Sequence, residues 1–510
     1  MVRKIILILL LIPLFSYSQK ISILGVIKDQ QTGAFPTPEP PPYAGGDFVL
    51  GELKAFPSAD GFGKYVSGGR GGTIIEVTNN NVTGTGSLRE ALSAAGAKII
   101  VGTTGVRIDA SASGTKTYLS QDNVSLLGQT FEGSGLMHYG QEFEINGENN
   151  WVIRHVDFLG GDPIIGSGDD AMRILARFAQ NETLDGGILD HCTIFWGDDE
   201  TLSMNADDGK EVRNVTIQNS IIAESFRNGK GFLIFRNTYN ISVLNNLSTN
   251  HWERSMIRVS GGTDSFEVVN NVSHYSKQPP AQFTWGNVFD YVGNVDYRGS
   301  ESLYTSRQIT FSDAPQNGTW DVSQTRGYIE GNYLDGVSQN VVNGSTWNDG
   351  LYRENSKILN SGSRIIDDTA TNIRDYVLAN VGSNRNTSAL EQRQINDALG
   401  ITTGSFKLME SQTVGKGTHL NGTAKTDTDG DYIPDSWESA MGLDPNSSAD
   451  AIVKPTSFTI DGITYDNREY TGGTYNGFIY VGGTLTGSNL YDWREIYWED
   501  LANGFQTMHY

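Results

Sequence analysis

The sequence predicts an all-β chain, a right-handed parallel β-helix (solenoid) with a small C-terminal calcium-loop and helical extension, and three observations carry that reading. A five-residue unit of apolar, any, Asn or His, small or polar, and apolar character recurs as IRHVD from Ile153, LDHCT from Leu189, IQNSI from Ile217, VLNNL from Val243, VVNNV from Val268, YVGNV from Tyr291 and IEGNY from Ile329. Successive starts differ by 36, 28, 26, 25, 23 and 38 residues, and short β-rich units at such a period mark a solenoid. Each coil then buries its apolar residues under the next, and the repeated Asn is expected to form a ladder of side-chain amides from coil to coil. The two long spacings are expected to hold excursions, the first over residues 160–185.

The 510 residues, 37% hydrophobic with 60 Gly and 14 Pro, suffice for one large domain with additions. Gly serves the many turns of a solenoid. Residues 1–18 read as a secretory signal: Arg3 and Lys4, an apolar run over 5–15, then Ser16-Tyr17-Ser18 before Gln19. That run is too short to span a bilayer, so the protein is expected to be secreted, extracellular or periplasmic, and not membrane-spanning. Residues 19–54 form a Pro-rich linker with Pro36, Pro38, Pro40, Pro41 and Pro42. Cys192 is the sole cysteine, so no intramolecular disulfide staples the fold, and it reads as a small core residue. With 37 Lys and Arg against 59 Asp and Glu, net charge −22, nucleic acid is excluded as a partner, and an anionic polysaccharide would need local cations to be held. A monomer is expected.

From residue 55 the text turns Gly-rich, AFPSADGFGKYVSGGRGG, and runs into the strand TIIEV. SLREAL from Ser87 has the Ser, Glu and apolar spacing of a capped short helix, and KIIVG and NVSLLGQT read as strands. These stretches, together with DDAM from Asp169, DHCTIFWGDDE and NNLSTNHWERSMIR, resemble the pectate lyase family in its Bacteroidota-type branch. DYVLANVG from Asp375, followed by Arg385 and Arg393, resembles the same branch's C-terminal portion, so the likeness runs with gaps over 55–399. The catalytic β-helix is accordingly assigned to 55–415 and a C-terminal extension to 416–510.

The resemblance implies a calcium-dependent polysaccharide lyase that cuts α-1,4-linked galacturonan by β-elimination. Such an enzyme removes the weakly acidic proton at C5 of a uronic acid and expels the oxygen at C4. Ca²⁺ on the adjacent carboxylate stabilises the enolate-like charge that develops. By resemblance, Asp170, Asp199 and Glu200, with Asp169 beside them, fall on calcium-site positions. Other branches carry a second carboxylate four residues after the first, where this chain has Ser203. Arg254 matches the family's proton-abstracting base and Arg258 its companion that holds a carboxylate, although Ser255, Met256 and Ile257 stand where a proline is common. Lys230, preceded by Arg227-Asn228-Gly229 instead of His-Asp, resembles the substrate-binding lysine. His251, three before Arg254, is grouped with the substrate-binding residues, whereas His155 and His191 read as ladder or core residues.

Two further functions remain open on the residues themselves. A hydrolase, or a lyase for another uronan, would use the same fold, and hydrolysis would want a carboxylate pair on adjacent coils. A non-catalytic glycan-binding β-helix would need neither.

In the extension, DTDGDYIPDSWE sets Asp427, Asp429, Asp431, Asp435 and Glu438 at positions one, three, five, nine and twelve of an EF-hand-like or thrombospondin-type-3-like calcium loop, with the Ile433 carbonyl at seven. Position six, normally Gly, is Tyr432, which must take a strained φ if the turn is kept. Leu490, Trp493, Ile496, Tyr497 and Leu501 lie near helical spacing, predicting a docked amphipathic helix over 489–501.

Overall fold

The computed structural model describes residues 53–176, 183–226, 229–260, 264–300, 302–304, 309–312, 325–338, 342–343, 354–384, 389–400, 415–460, 463–467 and 490–505. The expected signal segment and almost all of the linker lie outside them, as do Arg227, Asn228 and Arg385.

The chain winds as a right-handed parallel β-helix. In each coil a strand of a first sheet is followed by one of a second and one of a third, and like strands of successive coils pair in parallel, giving among the described residues sheets of ten, ten and nine strands, the second ending in one antiparallel pair, Tyr333–Leu334 with Val337–Ser338. The seven recurring units are register partners on the first sheet: Ile153 pairs with Leu189, Leu189 with Ile217, Ile217 with Val243, Val243 with Val268, Val268 with Tyr291, and Tyr291 with Ile329. Sequence period and spatial register are therefore the same fact. Inside the coils the apolar residues stack into one continuous core from Val77 to Ile329, with Trp151, Phe158, Ile194 and Phe232 fully enclosed.

The third residue of each unit makes the corner between first and second sheets. His155, His191, Asn219, Asn245 and Asn270 all have φ between 51° and 54°, the left-handed region that Asn and His enter more readily than most side chains. Gly293 and Gly331 take the corner in the last two units. The main ladder runs one position later than the sequence suggests. Asn246 Nδ2 donates to Asn271 Oδ1 at 3.0 Å, Asn271 to Asn294 at 3.0 Å and Asn294 to Asn332 at 3.1 Å. The corner residues add a partial second ladder, with Asn270 bonded to Asn245 at 3.2 Å and the rings of His155 and His191 stacked 4.8 Å apart. Cys192 is buried and unpaired, as its sequence context predicts.

The 160–185 stretch is a correction. It is not an excursion from the coil but contains the third-sheet strand Met172–Ala176, paired on both sides. Most of the added length lies between Leu159 and Met172, in the turn around Asp162–Ile164. Asp169 and Asp170 therefore stand at the start of a coil strand.

Helix α1, Leu88–Ser93, is capped as expected, with Ser87 Oγ accepting from Glu90 N and Glu90 accepting from Gly86 N. The Gly-rich opening lies as a strap on the outer face of the first sheet, where a Cβ at Gly63 or Gly69 would overlap the carbonyl oxygens of Gly187 and Lys98. Helices α2, Ala370–Leu378, and α3, Ala389–Ala398, cover the second sheet through Ile373, Val377 and Ile395 against Ile221, Leu247 and Val272. Helix α4, Asp435–Met441, follows the acidic loop, and α5, Trp493–Phe505, is the helix expected over 489–501, starting four residues later and burying Ile496, Tyr497, Trp498 and Glu499 in succession instead of one narrow face. Tyr497 and Trp498 of α5 and Ile433 of the loop pack on Ile99, Val101 and Leu127 of the first sheet. A buried ion network fixes that contact, with Arg154 reaching Asp190 at 2.8 Å and Glu499 at 2.7 Å.

The Asn ladder yields a test. Asn271 is 1% exposed and donates to the carbonyls of Val243 and Val269 as well as to Asn294. Asn271→Ala leaves several buried groups unpaired at ~1–3 kcal/mol each. Urea unfolding followed by far-ultraviolet circular dichroism should show a loss of roughly 3 kcal/mol or more. A loss below about 0.5 kcal/mol would mean the ladder is not what holds successive coils.

Candidate active site

Where the second sheet hands over to the third, successive coils set charged residues in one row. Registers within the third sheet pair Met172 with Leu202 and Glu200 with Lys230, so Asp170, Glu200 and Lys230 stand on consecutive coils, with Arg254 on the next. Strands in neighbouring coils lie ~4.8 Å apart, which brings side chains thirty residues distant in sequence into contact. Gly231 follows Lys230 because a Cβ there would overlap the Ser255 carbonyl oxygen.

The contacts are dense. Asp170, fully buried, accepts from Glu200 N at 3.0 Å, from Arg173 Nε at 3.0 Å and from the Ser203 hydroxyl. Ser203 thus fills the position of the missing carboxylate with a hydrogen-bond donor. Asp199, whose side chain is 47% exposed, accepts from Lys230 Nζ at 2.6 Å. Glu200 Oε1 lies 3.1 Å from Arg254 Nη2 and 3.7 Å from Lys230 Nζ. Arg254 is 1% exposed, its Nη1 is 3.0 Å from Glu253, and its buried Nε has no hydrogen-bond partner among the described residues. Its backbone is held without an intervening proline, because Met256 N and Ile257 N both donate to the Pro280 carbonyl at 3.0 Å.

Burial and charge oppose each other in this row. Burial pushes the Glu200 carboxyl up to about 8, helped by Asp170 and Asp199 and opposed by Lys230 and Arg254. Burial likewise lifts Asp170 to about 6 against the Arg173 guanidinium. Asp199, more open, is held below the usual carboxylate range by its Lys230 hydrogen bond, against the push of burial. For Arg254 burial wins, bringing the guanidinium down to about 10, with Arg258 pushing the same way and Glu200 and Glu253 resisting.

Of the other expected residues, Arg258 sits on the same sheet in register with Leu233 and Gln282, half-buried, and makes no hydrogen bond or ion pair among the described residues. Asp169 pairs with Lys116 at 2.9 Å, beside the row and outside its centre. His251 is a correction to its grouping with substrate-binding residues. It is fully buried, with Nδ1 3.1 Å from Ser225 Oγ and Nε2 3.0 Å from the Ile222 carbonyl, so both ring nitrogens are committed inside the fold. Asp198 accepts from Gly166 N and Gly168 N and fastens the preceding turn.

Four charged neighbours escape the sequence reading: Glu142, Lys116, Arg173 and Glu253. Glu142 Oε2 accepts from Asp170 N at 2.8 Å, its Oε1 takes Lys116 at 2.6 Å, and Arg173 lies 3.3 Å away. A signal was present, since Glu142 precedes Asp170 by 28 residues, one coil.

The donor set suits a hard cation. Asp170, Asp199 and Glu200 each bring one carboxylate oxygen within 4.8 Å of the others, the all-oxygen environment Ca²⁺ prefers. Lys230 shares Asp199 with any such ion.

The acidic loop of the extension forms a second concentration of oxygens. Asp427, Asp429 and Asp431 make one group within 4.8 Å, and Asp431, Glu438 and Asp450 another. The turn is kept, with Tyr432 at φ 72°. Asp435 accepts from Thr428 N and Oγ1, both at 2.7 Å, as the first residue of α4. No Lys or Arg is ion-paired to these carboxylates among the described residues, and burial with Asp431, Asp429 and Asp450 pushes Glu438 up to about 7.

No family model matches the chain. Curated relatives do: a probable pectate lyase C of Aspergillus flavus is 30% identical over 431 residues, spanning 79% of this chain and 91% of that protein. One from Neosartorya fischeri is 29% identical over 421 residues, 80% of this chain and 92% of its own. Among solved structures, a pectate lyase bound to hexasaccharide overlays 66% of this chain and all of its own at 14% identity with a TM-score of 0.41, too distant to carry weight beside the strand pairing described above. A probable pectate lyase C of Aspergillus oryzae is 31% identical over 431 residues, 79% of this chain and 91% of its own, and at that identity and coverage this chain belongs to the pectate lyase family.

Proposed function

We propose that this lyase is a secreted, monomeric enzyme that cleaves the α-1,4-linked galacturonan of pectate by β-elimination, with Arg254 as base and Ca²⁺ at Asp170, Asp199 and Glu200. The observation that carries the reading is the coil-by-coil row of two buried carboxylates, a lysine and a guanidinium whose acidity burial has raised. Curated relatives named pectate lyase support the substrate class. The apolar run near the N-terminus supports export.

In the reaction Arg254 takes the C5 proton, the C5–H electron pair becomes the C4–C5 double bond, and the C4–O bond breaks with its pair on the leaving oxygen, which water protonates. Arg258, with no ion pair among the described residues, binds a uronate carboxylate, and Lys230 turns from Asp199 to do the same. Bound Ca²⁺ supplies positive charge against the enolate-like oxygen. Arg254 is enclosed and paired with Glu253, so sugar contact requires the side chains around it to open. A second Ca²⁺ in the loop of Asp427, Asp429, Asp431, the Ile433 carbonyl, Asp435 and Glu438 is structural. The orphaned buried oxygens of Asp429, Asp431 and Glu438 support it.

The burial of Arg254 decides whether an arginine can serve. From an ordinary value of about 12.5, neutralising it at about pH 9 would cost roughly 5 kcal/mol, and from about 10 it costs nearer 1.4 kcal/mol. The neutral form is the active one, so turnover rises with pH toward about 10 and is lost as pH falls. Glu253 raises that pKa and Arg258 lowers it. Glu253→Gln is thus expected to move the alkaline rise of the rate to lower pH, and Arg258→Ala to higher pH. The pH profile of kcat on polygalacturonate, followed by absorbance of the unsaturated product, checks both signs.

The same assay tests the base directly. Arg254→Lys is expected to cut turnover by about 10² to 10⁴-fold with KM little changed. Wild-type turnover would remove Arg254 from the mechanism. Asp199→Asn should raise the Ca²⁺ concentration needed for half-maximal rate, and Lys230→Ala should mainly raise KM. Reducing ends without unsaturated product would point to hydrolysis.

A further inference from the structure

Asp450 lies outside the twelve-residue acidic loop, yet its carboxylate joins those of Asp431 and Glu438 within 4.8 Å. An acidic cluster alone would mean little. Here Glu438 is fully buried with neither carboxylate oxygen hydrogen-bonded, and Asp431, 4% exposed, has its Oδ2 in the same condition. Asp450 turns one oxygen to Asp444 N at 2.8 Å and leaves Oδ1 buried without a partner. Oxygens stripped of water with no donor facing them are costly unless a cation takes that place.

The turn after Asp450 ties the cluster to the last helix. The carbonyls of Ala451 and Val453 accept from Arg494 N and Trp493 N, both at 3.2 Å, so this turn caps the first turn of α5. Ala451 is itself fully buried in the patch that joins Ile433 and Tyr497 to Ile99 and Val101. One turn further along, Glu499 enters the buried pair with Arg154 of the solenoid.

We infer that Asp450 is a Ca²⁺ ligand supplied from outside the loop, and that the ion it shares with Asp431 and Glu438 clasps α5, and with it the extension, onto the first sheet. The inference rests on the structural-calcium reading of the loop, and it adds a ligand and a mechanical role. Asp427 and Asp429 complete the oxygen set around Asp431 on the other side.

The test uses the full-length protein, stripped with chelator and titrated with Ca²⁺ alone. Calorimetry reads affinity, and hydrogen exchange reads the amides of residues 493–505. In the wild type, Ca²⁺ should slow exchange throughout α5. Asp450→Asn, which keeps the shape and the bond to Asp444, should weaken the tail-site affinity about tenfold or more and abolish that protection. Glu438→Gln should behave alike and serves if Asp450→Asn does not fold. Asp199→Asn should leave both readouts of the tail site unchanged. Wild-type affinity in both tail variants, or α5 protection in the wild type that does not depend on Ca²⁺, would overturn the inference. Neither readout involves polysaccharide, so failure of the elimination reading would leave this one standing.

Discussion

Everything in this molecule depends on the register between coils. A one-residue slip would turn every strand over, sending the stacked core outward and scattering the charged row. The corner between first and second sheets opposes such a slip, because a left-handed residue must recur at the same place in each coil. His155, His191, Asn219, Asn245 and Asn270 occupy it, with Gly where the turn continues at 293 and 331. The residue after each corner then bonds to its counterpart above, and the chain from Asn246 to Asn332 is the longest run of such bonds. Apolar stacking drives the coils together, and the corners and amides decide which residue lies over which.

The site follows from that register and works against the surroundings it creates. Stacking brings Glu142, Asp170, Glu200, Lys230 and Arg254 into contact while removing most of their water. Buried ion pairs contribute little net stability, since desolvation nearly matches the attraction regained. Here the outcome differs along the row. Where a carboxylate keeps solvent and a lysine, as Asp199 does, the charged form is favoured. Where solvent is gone, as at Glu200 and Arg254, the neutral form gains even though each is the other's partner. A row that only stabilised the fold would gain from exposing Arg254. Its enclosure instead makes the guanidinium less basic.

The coil repeat was legible because one physical period governs both sequence and space, and all seven unit starts are register partners. The ladder was misplaced by one residue for a plain reason: Asn suits a left-handed corner and an amide ladder equally well, so Asn245 and Asn246 look alike in sequence while doing different work. Asp199 with Glu200 and Arg254 with Arg258 share short motifs, so their nearness was legible, and the structure brings Glu200 to Arg254. Lys116 and Glu142 were not, because each sits in an earlier coil and only the stack brings them to Asp169 and Asp170, whereas Arg173, three residues after Asp170 in the same coil, was within reach of a local reading. His251 failed in the opposite sense. Nearness in sequence to Arg254 implied a shared face, but the chain bends between them and the imidazole turns inward to Ile222. Asp450 was missed because it meets the acidic loop only through folding of the turn that caps α5.

The outer faces of the three sheets are not equivalent. The first sheet presents Val152, Ile188, Ile99 and Leu127 outward, and the strap and the extension cover them. The second presents Ile221, Leu247, Val272 and Val295, and α2 and α3 cover those. On the third, the outward row read through the register is Tyr118, Glu144, Arg173, Ser203, Leu233, Arg258, Gln282 and Thr310, mostly polar and aligned along the axis. Apolar faces must be buried by the chain's own segments. A polar face needs no such cover, and this one carries two arginines, Arg173 and Arg258, three coils apart, with Glu144 and Ser203 of the row buried. The strap, the extension, α2 and α3 thus all lie on the two apolar faces.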